Sequence, residues 1–234
     1  MIPTVRVPTI PIEGAPEVFP VRRIWCVGRN YADHAREMGG DPLREPPFFF
    51  AKPADAIVPL GGLLAFPTAT QDLHHEVELA VAVAGGGRDL SPQAAEALIF
   101  GYALALDMTR RDLQAEAKRL ARPWDMGKGF DQSCPISPLR RAQGADGARA
   151  GAITLAINGE ERQRGDLSDM IWSVGECLAA LSRLVELAPG DVLLTGTPAG
   201  VGPVRSGDLI EARCAITPDL RVEYAPAALA SGHA

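Results

Sequence analysis

The sequence predicts an α+β fold built on a rolled, mixed β-sheet, and three observations carry that expectation. Residues 76–83, Glu76-Val77-Glu78-Leu79-Ala80-Val81-Ala82-Val83, alternate with a period of two, as a strand does. Residues 101–107, Gly101-Tyr102-Ala103-Leu104-Ala105-Leu106-Asp107, repeat the alternation. Ile153-Thr154-Leu155-Ala156-Ile157 runs into Asn158-Gly159, the strongest short hairpin signal. Three or four helical stretches are scattered among the strands, with no internal repeat and no clean linker. The expected organisation is an extended N-terminal segment (1–20), one large domain (21–224) and a frayed tail (225–234).

The chain has 234 residues, 47% of them hydrophobic, and a formal net charge of −6. That length supports a substantial single core. The mildly acidic balance gives no electrostatic reason to expect nucleic acid or an anionic membrane as partner. No apolar run approaches the ~20 residues of a membrane helix, and Met1 to Pro20 lacks the charged start and apolar core of a signal peptide. Cys26, Cys134, Cys177 and Cys214 are far apart and form no Cys-x-x-Cys pair, so neither zinc nor a disulfide framework is indicated. A cytoplasmic protein with reduced thiols is the expectation.

In chain order, prolines 3, 8, 11, 16 and 20 deny a helix to the first twenty residues. Val21 to Gly28 reads as a short strand. Arg29 to Met38 reads as a helix ended by Gly39-Gly40. Within it His34 and Glu37 stand at i and i+3, able to touch. That pair is either a carboxylate-oriented base for activating water or an incidental surface contact. Lys52 is the single charge in the apolar run Pro47–Pro53, and such a lysine either snorkels outward or points at an anion. Gly85-Gly86-Gly87 is a turn, because no Lys-Ser/Thr follows it. Ser91 caps a helix to Leu98 with Pro92 at its first position. Thr109 and Asp112 have capping-box spacing, so a helix should begin there with Arg111 and Gln114 on one face. Pro123 to Asp131 is a glycine-punctuated loop carrying Lys128, and residues 140–150 form a mobile surface loop. Ser168 can cap a helix through Val185 with an apolar stripe. Asp191 to Thr195 is a buried strand leading into Gly196-Thr197-Pro198-Ala199-Gly200-Val201-Gly202, where Thr197 and open backbone amides could meet an anion. Residues 207–214 and 221–224 close the fold as strands.

The alternation has chemical content. Val77, Leu79, Val81 and Val83 share one face, while Glu76, Glu78, Ala80 and Ala82 share the other. Two acids beside nothing larger than alanine suggest a floor on which a ligand sits. If residues 101–107 lie alongside, Asp107 joins Glu76 and Glu78, and three converging carboxylates call for a cation. Three oxygen donors without His or Cys fit Mg²⁺ or Mn²⁺, with Ca²⁺ a further candidate. The alternative is a solvated strand edge with Asp107 capping the next helix.

Four segments together resemble the fumarylacetoacetate hydrolase family: Val27-Gly28-Arg29-Asn30-Tyr31-Ala32-Asp33-His34, His75-Glu76-Val77-Glu78, Leu106-Asp107-Met108-Thr109-Arg110-Arg111-Asp112 and residues 195–202. They stand in the family's order and span roughly residues 20 to 224. Residues 20–23, 44–50 and 108–114 are most similar to the fumarylpyruvate hydrolases of gentisate degradation. The resemblance implies the mixed β-roll of the family's C-terminal domain, a catalytic domain over 21–224, and a dication held by Glu76, Glu78 and Asp107. It implies a water-activating pair, His34 and Glu37, with Lys128, Arg111 and Gln114 around the substrate oxygens. Thr197 would contact a substrate carboxylate, and Lys52 would sit at the pocket rim or lid. Larger members carry a further aspartate seven residues before the His; here that position is Val27. A homodimer acting on a small 2,4-dioxo acid is implied, and Arg29 or Arg110 is offered for a second substrate carboxylate.

The same residues admit other 2-oxo acid chemistry: acetylpyruvate hydrolysis, oxaloacetate decarboxylation, or hydration or isomerisation of a 2-oxo-enoate. Outside enzymes, the acids could hold structural Ca²⁺ in a β-rich binding module.

Overall fold

The computed structural model describes residues 6–37, 45–143 and 148–226. The two alternating segments form adjacent antiparallel strands, Val77–Val83 and Ile99–Leu106, with Glu78 opposite Ala105 and Ala80 opposite Ala103. They lie near the middle of the largest sheet. Its order is Phe48–Lys52, Arg23–Gly28, Asp191–Leu194, Val77–Val83, Ile99–Leu106, Cys134–Ile136, Ile57–Pro59. Asp191–Leu194 runs parallel to Arg23–Gly28, and Cys134–Ile136 parallel to Ile57–Pro59, among otherwise antiparallel pairs. The fold is therefore α+β on a curled, mixed sheet, as the alternation predicts.

A second sheet orders Glu160–Asp166, Ala152–Ile157, Leu209–Cys214, Leu220–Tyr224 and Gly62–Leu64. Its first hairpin turns on Asn158 and Gly159 with φ of 53° and 83°, the doubly positive pair that a type I′ turn requires. Val77, Leu79, Val81, Tyr102, Leu104 and Leu106 pack toward this sheet's Ile153, Leu155, Ile210 and Val222. Leu178 and Leu181 of the helix Val174–Leu184 join the same core.

The opposite face corrects one expectation. Ala80, Ala82, Ala103 and Ala105 are fully buried in one cluster with Ile24, Ile136, Val192 and Leu194 of neighbouring strands and with Ile10 and Phe19. They floor a second apolar core rather than a ligand site, and their small side chains leave room for the larger Ile10 and Phe19 at interior packing density. Two strands of the N-terminal stretch, Thr9–Pro11 and Val18–Pro20, pair antiparallel and carry Ile10 and Phe19 into this core.

Local differences have local causes. The Thr109–Asp112 capping box does not form. The Thr109 hydroxyl donates to the Asp107 carbonyl, and the Asp112 carboxylate accepts from Thr70 Oγ1 at 2.8 Å and Gln71 N at 3.0 Å. The helix there is Arg111–Arg119, preceded by the short strand Thr109–Arg110. Ser168 is drawn instead to Asp166 in a single turn, Leu167–Asp169, so the long helix begins after Ser173. Ser173 and Glu176 cap it reciprocally. Ser91 caps Pro92–Glu96 as expected, with the helix ending earlier. The expected Pro123–Asp131 loop contains the one-turn helix Asp125–Lys128. Arg140–Arg141 of the expected 140–150 loop pairs with Ile99–Leu106. The predicted helix 29–38 is realised as Ala32–Glu37; Met38, Gly39-Gly40, residues 144–147 and the tail from 227 lie outside the described residues. All four cysteines are buried free thiols. Among the described residues no helix is long and apolar enough to cross a membrane.

Candidate metal centre and active-site cleft

Asp107 follows directly on the strand Ile99–Leu106, and its N–H donates to the Glu76 carbonyl at 2.8 Å. The backbone ladder therefore sets Asp107 across from Glu76, with Glu78 one pleat further along the same face. One carboxylate oxygen from each acid lies within 4.8 Å of the others, and all three residues are buried.

Cations reach two of these acids. Lys128 Nζ is 2.8 Å from Glu76 and 2.6 Å from Asp107; Arg111 is 2.5 Å from Glu76; Lys52 Nζ is 2.8 Å from Asp107. Burial disfavours a charged Glu76, yet Lys128 and Arg111 hold its carboxyl well below the usual range. Burial also disfavours a charged Lys128, and Asp107 and Glu76 overcome it, so the ammonium stays protonated. Glu78 differs. Burial first, then Asp107 and Glu76, push its carboxyl well above the usual range. Its hydrogen bond comes from Gly196 N at 2.7 Å, and among the described residues no cationic side chain pairs with it. Gly196 permits that contact through a φ of +95°, and a Cβ there would come within 2.8 Å of Asn30 Cβ. Three convergent carboxylates suit a hard dication, and Glu78 is the acid whose charge such an ion would neutralise.

His34 lies in the same cleft, 7% exposed, on the helix Ala32–Glu37. Its Nδ1 is 3.3 Å from Glu37 Oε2, and Glu37 is itself held by Gly200 N at 3.2 Å. Burial lowers the imidazole pKa, outweighing the opposing pull of Glu76 and Glu37, so the ring is neutral near pH 7. With Nδ1–H given to Glu37, Nε2 carries the lone pair a base needs. Arg111 Nη1 donates to Gln114 Oε1 at 2.7 Å, which leaves the Gln114 amide hydrogens for a ligand. Thr197 and Arg29 also line the cleft, and Val27, Phe48, Phe50 and Trp124 give it apolar walls.

Two expected positions are corrected. Lys52 is not at a rim or lid: it is 2% exposed behind the acids, donating to the carbonyls of Met108 and Lys128 as well as pairing with Asp107. Burial among acceptors, not snorkelling, satisfies its charge. Arg110 is drawn onto the Phe130 ring, 4.3 Å from its centroid, and is absent from the cleft lining. Three residues were not anticipated. Lys118 lines the cleft with its ammonium 5.1 Å from the Trp124 ring centroid; it follows Gln114 by one helical turn, and that spacing could have indicated it. Asn30 is fully buried and ties the carbonyls of Trp172 and Thr195 together at 2.9 and 2.8 Å. Gln163 is the one buried side chain of the strand Glu160–Asp166, and its polar neighbours hide it from any pattern.

Residues 23–223 match the family model described as fumarylacetoacetate (FAA) hydrolase C-terminal. The mitochondrial oxaloacetate tautomerase of Homo sapiens is 43% identical over 200 residues, 82% of this chain and 90% of that protein. The mitochondrial oxaloacetate decarboxylase of Dictyostelium discoideum is 41% identical over 197 residues, 84% of this chain and 89% of that one. Among solved structures, the fumarylpyruvate hydrolase of Pseudomonas aeruginosa in complex with Mn²⁺ and pyruvate is similar with a TM-score of 0.94. It is 47% identical, with 97% of this chain and 99% of that chain covered.

Proposed function

The chain belongs to the fumarylacetoacetate hydrolase family, and on that premise we propose that it hydrolyses the carbon–carbon bond of an acylpyruvate, fumarylpyruvate giving fumarate and pyruvate. The observation that carries this reading is a buried, Glu37-oriented His34 sharing one cleft with three converging acids. Glu76, Glu78 and Asp107 would hold Mn²⁺ or Mg²⁺, which when bound supplies a Lewis acid for the 2-oxo acid and its ketone.

His34 Nε2 takes a proton from water as the water oxygen adds to the distal carbonyl carbon. The Gln114 amide hydrogens, with Arg111 and Lys128 nearby, face the developing oxyanion; each such donor is worth ~3 kcal/mol of barrier. When the carbon–carbon bond breaks, its electron pair passes to the pyruvate carbon, which recovers the proton from the His34 imidazolium. Thr197 donates to the pyruvate carboxylate. Arg29 and Lys118, both lining the cleft with no acid paired to either among the described residues, take the second carboxylate that the fumaryl group presents. With Arg110 occupied on Phe130, Arg29 is the better of the two arginines for that role. Cytoplasmic location and a homodimer complete the proposal.

Oxaloacetate is the second reading, favoured by the 43% identical tautomerase and the 41% identical decarboxylase. It too has a second carboxylate, so Arg29 and Lys118 serve either substrate. The test is a panel of fumarylpyruvate, acetylpyruvate and oxaloacetate with Mn²⁺, following loss of diketone or enol absorbance and quantifying products. Fumarate and pyruvate in equal amounts, at the highest kcat/KM of the panel, support the hydrolase; turnover confined to oxaloacetate replaces it with the second reading.

A further inference from the structure

Thr197 is 2% exposed, and what its hydroxyl can offer a ligand depends on which way its proton points. The side chain that meets this hydroxyl is Gln163, on the hairpin strand Glu160–Asp166 and 1% exposed. Gln163 Oε1 accepts from Val77 N at 3.1 Å, and Gln163 Nε2 reaches the Pro198 carbonyl at 2.9 Å. A backbone N–H can only donate and a carbonyl can only accept, so the orientation of this amide is not interchangeable. The remaining partners follow. His75, also 1% exposed, lies with Nδ1 2.9 Å from Oε1 and must carry its proton there. The second Nε2 hydrogen goes to Thr197 Oγ1 at 2.8 Å. Every donor and acceptor of the Gln163 amide is thereby used.

We propose that Gln163 is a positioning residue that compels Thr197 to donate its hydroxyl proton into the cleft, and so to bind a carboxylate oxygen of the 2-oxo acid. Thr197 Oγ1 already accepts from Gln163, and among the described residues its own proton has no acceptor. The direction is anchored on the N–H of Val77, the residue between Glu76 and Glu78, so the anion donor and the acid cage share one backbone reference. A hydroxyl fixed as donor binds an anion without first rotating, whereas a free one pays to orient. The inference rests on the 2-oxo acid reading above.

The test measures pyruvate binding to the Mn²⁺-loaded protein by calorimetry, with thermal melts alongside. Gln163→Glu keeps the shape and reverses the polarity, so Thr197 donates to the new carboxylate instead of the cleft. Gln163→Met, also similar in shape, leaves Thr197 unoriented and serves if Gln163→Glu does not fold. Thr197→Val is expected to weaken pyruvate by about tenfold or more, as loss of a hydrogen bond to a charged group does. Gln163→Glu should weaken it as much, and in the Thr197→Val background should add nothing. Thr197→Ser, which keeps the hydroxyl, should bind within about threefold of wild type. Losses that multiply in the double variant, or wild-type affinity in a folded Gln163→Glu or Gln163→Met, overturn the proposal. No pyruvate binding by the wild-type protein would instead overturn the functional reading on which it rests.

Discussion

The two ends of one sheet face make opposite use of the same strands. At one end Glu76, Glu78 and Asp107 open onto the cleft; at the other Ala80, Ala82, Ala103 and Ala105 lie sealed in a core with Ile10 and Phe19 of the N-terminal hairpin. Both ends come from the same alternation and the same register, so backbone geometry cannot distinguish them. What differs is the cover. The alanine end is closed by apolar residues from the N-terminal hairpin and adjoining strands. The acid end is met by Lys128, Lys52 and Arg111, and by a cleft. Charge is tolerable there only because cations, and in the proposed state a dication, accompany it.

The largest break in this contrast is expected at the acid end, from His34→Ala. The variant should lose about 10²- to 10⁴-fold in kcat while its Mn²⁺ affinity, read by calorimetry, stays near wild type. The pH profile sharpens the same point. Because burial lowers the His34 pKa, kcat/KM should fall on acidification only below about 6.5, the ordinary imidazole value, as the base is protonated. A limb above that value would mean the ring is not held neutral by burial.

Next in size comes Glu78→Gln. Glu78 carries a raised pKa in the folded chain, so the unfolded chain ionises more readily. Stability is thus lost as pH rises from the ordinary carboxylate value up to the raised value of the folded chain. Replacing this acid with a group that does not titrate should therefore raise Tm in EDTA at pH 7 by several degrees, at about 2–4 °C per kcal/mol for a chain of this size. Mn²⁺ should reverse the order, stabilising wild type and not the variant. A lower Tm for Glu78→Gln in EDTA would show that the charge is compensated by other means.

The smallest effect on chemistry is expected at the alanine end. Ala82→Leu forces added volume under the hairpin and should cost ~1–3 kcal/mol, seen as a lower Tm, with kcat/KM per folded molecule unchanged. A fall in activity without a fall in Tm would show that the two ends are coupled.

The alternation made this face legible, because period two needs only neighbouring residues. Glu76, Glu78 and Asp107, and the contact of His34 with Glu37 on one helix face, were readable for the same reason. The cover was not. Whether alanine meets a ligand or Phe19 depends on a partner some sixty or more residues away in the chain, which no local pattern contains. The unformed cap at Thr109 has the same origin, since Asp112 is claimed by Thr70 and Gln71, 42 and 41 residues earlier in the chain. So does the role of Lys52, whose partners Met108, Asp107 and Lys128 lie on other elements. Gln163 shows the limit most sharply: a polar residue among polar residues, its burial arises only when the hairpin meets the segment around Thr197.

The Asp107–Glu76 backbone bond has one further consequence. Because cross-strand pairing sets the spacing of the acids, the connection from Ala84 to Leu98 between their strands carries no part of that geometry, and the register irregularity near Ala82 and Val83 sits at the opposite end. A change in the length of that connection therefore falls first on its own packing, where Ala95 is fully buried and Gly87 pairs with Leu187, and none of those contacts belongs to the pairing that spaces the acids.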